Sequence, residues 1–157
     1  MPARLRLVLL LALGVSVTGC SSKPPTAELV SWRTTRDPLP TVQGKLTPKD
    51  DTVFVVVRVR ATGKGLYRQD EKDKDMYSLK SDDFDLSTPD GWTVKGIGQR
   101  NVAGKEFGGS TYRDKPKSEE EVEVVFPAPP KVAERSDLTV RYHDLPELKL
   151  DPGKKGK

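Results

Sequence analysis

Thr52-Val-Phe-Val-Val-Val-Arg-Val-Arg60 is the stretch that decides the fold of this chain. Successive side chains of a β-strand point to opposite faces, so one face of this segment carries four valines: Val53, Val55, Val57 and Val59. Phe54 and Val56 lie on the other face, and β-branched residues of this kind favour a strand over a helix. Because its first half is apolar on both faces, the segment is predicted to be a central strand of a sheet.

Four further segments alternate between apolar and polar residues with the same period: 26–33, 77–87, 119–126 and 137–142. In the first of them, Val30 and Trp32 are expected on one face. Thr88-Pro-Asp-Gly91 is a strong turn signal, because glycine tolerates the positive φ that such turns require. A hairpin is therefore expected between 77–87 and 92–95. No segment after residue 20 has sustained helical periodicity, so the pattern predicts an all-β sandwich of about seven or eight strands.

The segment 96–118 is rich in glycine and poorly periodic, which predicts a mobile surface segment. Phe107 and Tyr112 lie within it and have two possible roles. Exposed aromatic residues in such a loop would be candidate contacts with a partner, whereas buried ones would be part of the core. Trp32 and Trp92 are expected in the core.

Composition excludes some classes of protein. The chain has 157 residues, a formal net charge of +4 and 32% charged residues. Basic and acidic residues are interspersed, and no basic stripe with interleaved aromatic residues is present, so nucleic-acid binding is not expected. The charged fraction indicates a well solvated surface.

The first twenty residues have the pattern of a secretory leader. Arg4 and Arg6 precede a short apolar run, 7–13, which is too short to span a bilayer, since spanning takes about 20 residues. The run ends on Val17-Thr-Gly-Cys20, which resembles the bacterial lipobox. That resemblance implies cleavage between Gly19 and Cys20 and diacylglyceryl modification of Cys20. The alternatives are an ordinary signal peptide with an incidental cysteine, a free core thiol or a transmembrane segment.

The leader predicts the organisation of the whole chain. We expect a lipoprotein signal peptide over 1–19, the lipidated Cys20 and a polar, proline-containing tether over 20–25, a folded domain over 26–150, and a disordered basic tail over 151–157. The chain has one cysteine, so a lipidated Cys20 leaves no disulfide in the domain. Serine rather than aspartate follows the cysteine, which favours the outer membrane if the host is Gram-negative.

Three segments resemble the secreted bacterial immunoglobulin-like domains called telokin-like or DUF4352-type, which are akin to mycobacterial immunoprotective antigens. They are Phe54-Val-Val-Val-Arg-Val-Arg60, Ser81-Asp-Asp-Phe-Asp-Leu-Ser-Thr-Pro-Asp-Gly91, and the pair Glu121-Val-Glu-Val-Val-Phe-Pro127 with Leu138-Thr-Val-Arg-Tyr142. The resemblance spans most of 26–150. It implies an immunoglobulin-like β-sandwich of antiparallel strands and a lipid-anchored place in the cell envelope, and it carries over no catalytic residue.

Chemistry-bearing residues are sparse. His143 is the only histidine, no Gly-x-Ser-x-Gly elbow exists, and zinc would need more His or Cys ligands. The acidic stretches 70–75 and 82–85 lack the spacing of a calcium loop and alternate with lysines. We therefore expect no enzyme, no metal, no cofactor and no small-molecule substrate. Three functions remain open: an envelope lipoprotein that binds a protein or envelope partner, a structural lipoprotein without a specific ligand, and an enzyme with an unrecognised site.

Overall fold

The computed structural model describes residues 24–62, 65–143 and 145–156, and the predicted signal peptide and Cys20 lie outside these ranges. The described residues contain β1 (Thr26–Thr35), β2 (Leu39–Thr41), β3 (Gly44–Leu46), β4 (Val53–Thr62), β5 (Arg68–Gln69), β6 (Tyr77–Lys80), β7 (Phe84–Ser87), β8 (Thr93–Lys95), β9 (Gly98–Asn101), β10 (Ser110–Arg113), β11 (Glu119–Ala128), α1 (Pro130–Ala133), β12 (Thr139–Tyr142) and β13 (Leu148–Lys149). No helix among them is long and apolar enough to cross a bilayer.

The valine-rich strand β4 is central in its sheet, as predicted. It pairs antiparallel with β1 on one side and with β11 on the other, and β9 follows β11 in the order β1-β4-β11-β9. Val57 lies between Trp32 and Val124 in this register, and all three side chains are buried. We call these four strands the main sheet.

A second sheet, β13-β12-β7-β8, covers the inner face of the main sheet. The residues that fill the space between the sheets include Phe84, Leu86, Leu138, Val140 and Tyr142, which pack with the four valines of β4. All the strand pairs within these two sheets are antiparallel. The prediction of an all-β antiparallel sandwich is confirmed.

The predicted strand 77–87 is divided in two, which is one reason why the described strands outnumber the expected seven or eight. Residues Ser81–Asp83 form a 3-10 turn, so that β6 pairs with β10 and β5 while β7 enters the second sheet. Gly96 passes close to this turn, and a Cβ there would lie 2.3 Å from the carbonyl oxygen of Ser81. The hairpin predicted at Thr88–Gly91 is confirmed, since β7 pairs with β8 and the φ of Gly91 is 98°.

The expected face of β1 is wrong at Val30. The register of β1 against β4 shifts between Leu29 and Ser31, which is a β-bulge. One extra residue reverses the alternation of side chains. Leu29 and Trp32 therefore both point into the core, while Val30 is only half-buried.

The expectation of a mobile surface segment over 96–118 is also wrong. Residues Gly98–Asn101 form β9 at the edge of the main sheet, and Ser110–Arg113 form β10. Gln99 and Phe107 are both buried. The sequence did not predict these two strands, because the segment is rich in glycine and its residues do not alternate between apolar and polar.

The outer face of the main sheet carries a second, smaller core. Phe54 and Val56 of β4 and Val125 of β11 pack there against Leu39 and Phe107, with Leu46 half-buried beside them. The hairpin of β2 and β3 and the loop that contains Phe107 cover this face. Both faces of the first half of β4 are therefore buried, as its sequence predicted.

The C-terminal residues 151–156 are ordered, so the prediction of a disordered tail is wrong for them. They form a 3-10 turn, Pro152–Lys154, and then lie against β1, where the N–H of Gly156 donates to the carbonyl oxygen of Trp32 at 2.7 Å. The segment has no apolar side chain, so its sequence gave no sign of these contacts.

The central strand leads to a first prediction. Val57→Asp should unfold the domain, because an unpaired buried carboxylate costs several kcal/mol and a small domain is stable by only about 5–15 kcal/mol. Arg60→Gln on the same strand is the control: its guanidinium is partly exposed, and the glutamine keeps the position polar. Thermal melts followed by circular dichroism compare the two. Equal melting temperatures would contradict the assignment of the two faces.

Candidate functional site

The candidate site is a groove on the outer face of the main sheet, between the β2–β3 hairpin and the backbone on both sides of β9. It encloses about 310 Å³ and is lined by residues 41–43, Leu46, Ile97, Gly98 and 107–109. Backbone hydrogen bonds fix the positions of its walls. The N–H of Phe107 donates to the carbonyl oxygen of Pro40 at 2.8 Å, Gly108 and Gln99 exchange two backbone hydrogen bonds, and the N–H of Ile97 donates to Val125 of β11 at 2.9 Å.

Exposed apolar side chains are concentrated at this groove. Among the described residues, three large hydrophobic side chains are exposed: Val42 at 78%, Tyr112 at 54% and Ile97 at 41%. Val42 and Ile97 both line the groove. Val42 lies at the turn of the short β2–β3 hairpin, where packing does not require an apolar residue. Val42 and Ile97 therefore form a small apolar patch beside a concave surface, which makes the groove the candidate contact site of the described residues.

The two aromatic residues that the sequence offered as contacts have different places. Phe107 is 1% exposed and is the floor of the groove, with the guanidinium carbon of Arg100 4.5 Å from its ring centroid. The structure thus puts Phe107 in the core instead of at a contact surface. Tyr112 is exposed on β10 but does not line the groove. Val42 and Ile97 were missed, because the sequence alone does not show which isolated apolar residues remain exposed after folding.

A buried polar cluster lies on the inner face of the main sheet, where β10 packs against β9 and β11. Glu120 is 5% exposed and accepts hydrogen bonds from Arg113 at 2.5 Å and from Asn101. Arg113 also donates to the hydroxyl of Tyr67 at 2.8 Å. Burial is the main cause that raises the pKa of Tyr67 to about 12, and the Glu120 carboxylate acts in the same direction while Arg113 opposes it.

Two oxygen atoms of this region have no hydrogen-bond partner: Oε1 of Gln99 and Oε2 of Glu120. The amide nitrogen of Gln99 donates to the hydroxyl of Thr111 at 2.6 Å, so each side chain is held by its other polar atoms. An aligned guanidinium opposite a buried carboxylate is the arrangement that makes such burial tolerable. We assign the cluster a structural role, because each of its titratable members, Tyr67, Arg113 and Glu120, has a hydrogen-bond partner within it.

The chemistry-bearing residues from the sequence do not assemble into a reactive site. His143 has a φ of 42°, its Nε2 lies 3.3 Å from Asp83, and its ring meets that of Tyr142 edge-on at 4.7 Å. Among the described residues, neither of these two contacts of His143 is with a serine or cysteine nucleophile. No group of three or more His, Cys, Asp or Glu side chains with metal-binding geometry occurs in those residues.

The carboxylates of the acidic stretch 70–75 accept hydrogen bonds from backbone N–H groups of the same stretch. Asp70 Oδ1 accepts hydrogen bonds from the backbone N–H groups of Lys72 at 2.9 Å and Asp73 at 3.1 Å, which lowers the pKa of the Asp70 carboxyl. Asp73 Oδ1 in turn accepts the N–H of Asp75 at 3.1 Å. These carboxylates cap turns in an exposed loop.

Comparison with known proteins shows little beyond the fold. No protein-family model matches the sequence, and no curated protein matches it. Among solved structures, the chain is similar to an uncharacterized β-sandwich protein from Clostridium difficile 630, with 12% identity and a TM-score of 0.45 over 78% of this chain and 81% of that one. This similarity carries no functional assignment.

The polar cluster predicts an alkaline weakening of the fold. The pKa of tyrosine is about 10 in an unfolded chain and about 12 for folded Tyr67, so the folded state keeps the proton longer. The stability that this proton contributes is complete below about pH 10 and is lost as the pH rises through about 12. As the pH rises from about 10 to about 12, the free energy of unfolding should therefore fall by roughly 1–2 kcal/mol less in Tyr67→Phe than in the wild type.

Chemical denaturation at a series of pH values measures this difference. Tyr112→Phe, which removes an exposed hydroxyl, is the matched control. Tyr142 remains in every variant, and burial raises its pKa as well, so part of the alkaline loss should persist. Parallel stability profiles for wild type and Tyr67→Phe would contradict the role of Tyr67.

Proposed function

We propose that this chain is a lipid-anchored protein of the cell envelope, of the telokin-like or DUF4352 type, whose β-sandwich binds an extracytoplasmic protein through the apolar groove and catalyses no reaction. The observation that carries the proposal is the convergence of Val42 and Ile97 on one concave surface. The anchor is supported by Val17-Thr-Gly-Cys20 at the end of a short apolar run.

The length of the tether places the domain close to the anchor. Six residue steps separate Cys20 from Thr26, the first residue of β1, and an extended chain covers at most about 3.6 Å per residue. The start of β1 is therefore within about 22 Å of the proposed lipid. At this end of the main sheet, Thr26 lies beside Thr62 of β4, which pairs on its other side with Glu119 of β11.

The groove lies away from that end. Val125, whose carbonyl oxygen accepts the N–H of Ile97, is six residues along β11 from Glu119, or about 20 Å at 3.3 Å per residue. The groove is thus set off along the sheet from the end that joins the tether, which leaves room for a protein partner to reach it.

The size of the groove indicates the class of contact. A volume of about 310 Å³ holds two or three apolar side chains, in the lower range of ordinary binding pockets. The exposed side chains of Val42 and Ile97 beside this groove suit one apolar anchor of a partner with surrounding weaker contacts. We therefore expect a transient complex rather than an obligate one.

The anchor predicts a loss of membrane retention in Cys20→Ser. Without the thiol no thioether lipid can form, and two or more acyl chains are what gives stable attachment. Fractionation with detergent phase partitioning measures the change, and Ser21→Ala is the control because it leaves the thiol in place. An unchanged membrane fraction for Cys20→Ser would contradict the lipoprotein assignment.

The groove predicts a contact that site-specific photo-crosslinking in cells can detect. A crosslinking amino acid at Gln43, in the groove lining, should give an adduct of discrete mass. The same probe at the exposed Lys149 of β13 should not. In a chain that also carries Val42→Asp and Ile97→Asp the adduct should fall at least several-fold, because each aspartate puts a charge at an apolar contact while costing an exposed position only about 0.5 kcal/mol of stability.

Absence of any adduct at Gln43, or an adduct that is insensitive to both aspartates, would contradict binding at the groove. The first outcome would favour the structural envelope protein without a specific ligand. Melting curves of the double variant exclude unfolding as the cause of a lost adduct.

A further inference from the structure

We propose that the C-terminal residues 151–156, which we call the strap, close the open edge of β1 and prevent this strand from pairing with β1 of a second copy of the chain. The inference is independent of the lipid anchor and of the groove. It rests on contacts between the strap and two residues of β1, Leu29 and Trp32.

The strand β1 is an edge of the main sheet. Among the described strands, β4 is the one that forms a ladder with β1, so the other side of β1 has no hydrogen-bonded strand neighbour, although β13 lies close to it. An uncovered edge of this length is a template for pairing with another chain, and natural sheets cover or distort such edges. The bulge between Leu29 and Ser31 distorts this edge, but most of the strand remains regular.

The strap covers the middle of this edge through the backbone. The N–H of Gly156 donates to the carbonyl oxygen of Trp32 at 2.7 Å, and Lys155 forms a parallel β-bridge with Trp32. Such a bridge occupies the groups that an incoming strand would use.

Side chains lock the strap in the same place. The indole N–H of Trp32 donates to the carbonyl oxygen of Asp151 at 2.8 Å, and the ammonium group of Lys154 donates to that of Leu29 at 2.5 Å. The Lys155 ammonium lies 4.7 Å from the Trp32 ring centroid, within cation–π range. Asp151 Oδ1 accepts the N–H of Gly153 at 2.8 Å and so holds the turn that returns the chain to β1.

The sequence of β1 favours a second copy as the occupant of the uncovered edge. The carbonyl groups of Leu29 and Trp32 point outward, and a two-fold antiparallel pairing can place Leu29 of one copy opposite Trp32 of the other. The same register puts Glu28 opposite Arg33. Both lie on the outer face, because Glu28 pairs in register with Arg60 and Arg33 with Val56. The two strands would thus meet with two complementary charge pairs.

The test compares the full chain with a chain that ends at Leu150, both expressed from residue 1 and purified in the same way. Sedimentation velocity at a series of concentrations should show that truncation tightens dimer formation roughly tenfold or more. Adding Thr34→Pro to the truncated chain should restore the monomer. Thr34 has the same backbone orientation as Trp32, and proline removes an outward N–H without breaking the ladder to β4.

The charge pairs test the identity of the occupant. In the truncated chain, Arg33→Glu should weaken the dimer because it meets Glu28, and the exchange of both charges in Glu28→Arg with Arg33→Glu should restore it. A folded truncated chain that stays monomeric, or a dimer that is indifferent to these changes, would overturn the proposal. If the truncated chain does not fold, the same sedimentation measurement is made on the full chain with Lys155→Ala and Gly156→Pro, which keeps the Asp151 contact. This variant should dimerise more tightly than the wild type, and an unchanged monomer would overturn the proposal.

Discussion

The structure depends on one constraint: β4 is apolar on both faces and must be covered on both. Val55 and Val57 face the second sheet, while Phe54 and Val56 face outward, and all four are almost completely buried. At roughly 1.5–3 kcal/mol for each fully buried side chain of this size, these residues contribute a large share of the apolar burial that stabilises the domain. Neighbouring strands on both sides satisfy the backbone of β4, since an unpaired buried N–H or C=O group would offset much of that gain.

Covering the outer face of β4 creates the groove. A sandwich normally leaves this face in water, but here the β2–β3 hairpin and the loop that carries Phe107 lie over it. These are short, irregular pieces, and they meet imperfectly along the line between Val42 and Ile97. The packing requirement of the central strand and the proposed contact surface are thus two results of the same covering layer.

Polar interactions stabilise three parts of the domain where apolar packing is incomplete. On the inner face near β10, Glu120, Arg113 and Tyr67 occupy space that aliphatic residues fill elsewhere, and their mutual hydrogen bonds offset the cost of burial. At the edge of the main sheet, the strap uses backbone and lysine groups to cover β1. On the outer face, Glu121 lies between Arg58 and Arg60, and hydrogen bonds from these two guanidinium groups, that of Arg60 first, lower the pKa of its carboxyl. These three sets of polar contacts lie near the ends of strands or at the edge of the main sheet.

The sequence by itself determined the all-β class, the central place and both buried faces of β4, the hairpin at Thr88–Gly91, and the alternating segments that contain β11 and β12, because local periodicity and turn chemistry specify these features. It did not reveal the bulge after Leu29, the burial of Glu120 and Phe107, the groove beside Val42 or the order of the C-terminal strap. Each of these depends on a partner distant in the chain: β4 for the bulge, Arg113 for Glu120, the β2–β3 hairpin for Phe107 and Trp32 for the strap. Periodicity reports only which residues of one segment share a face, so the tertiary structure alone decided which surfaces those faces meet.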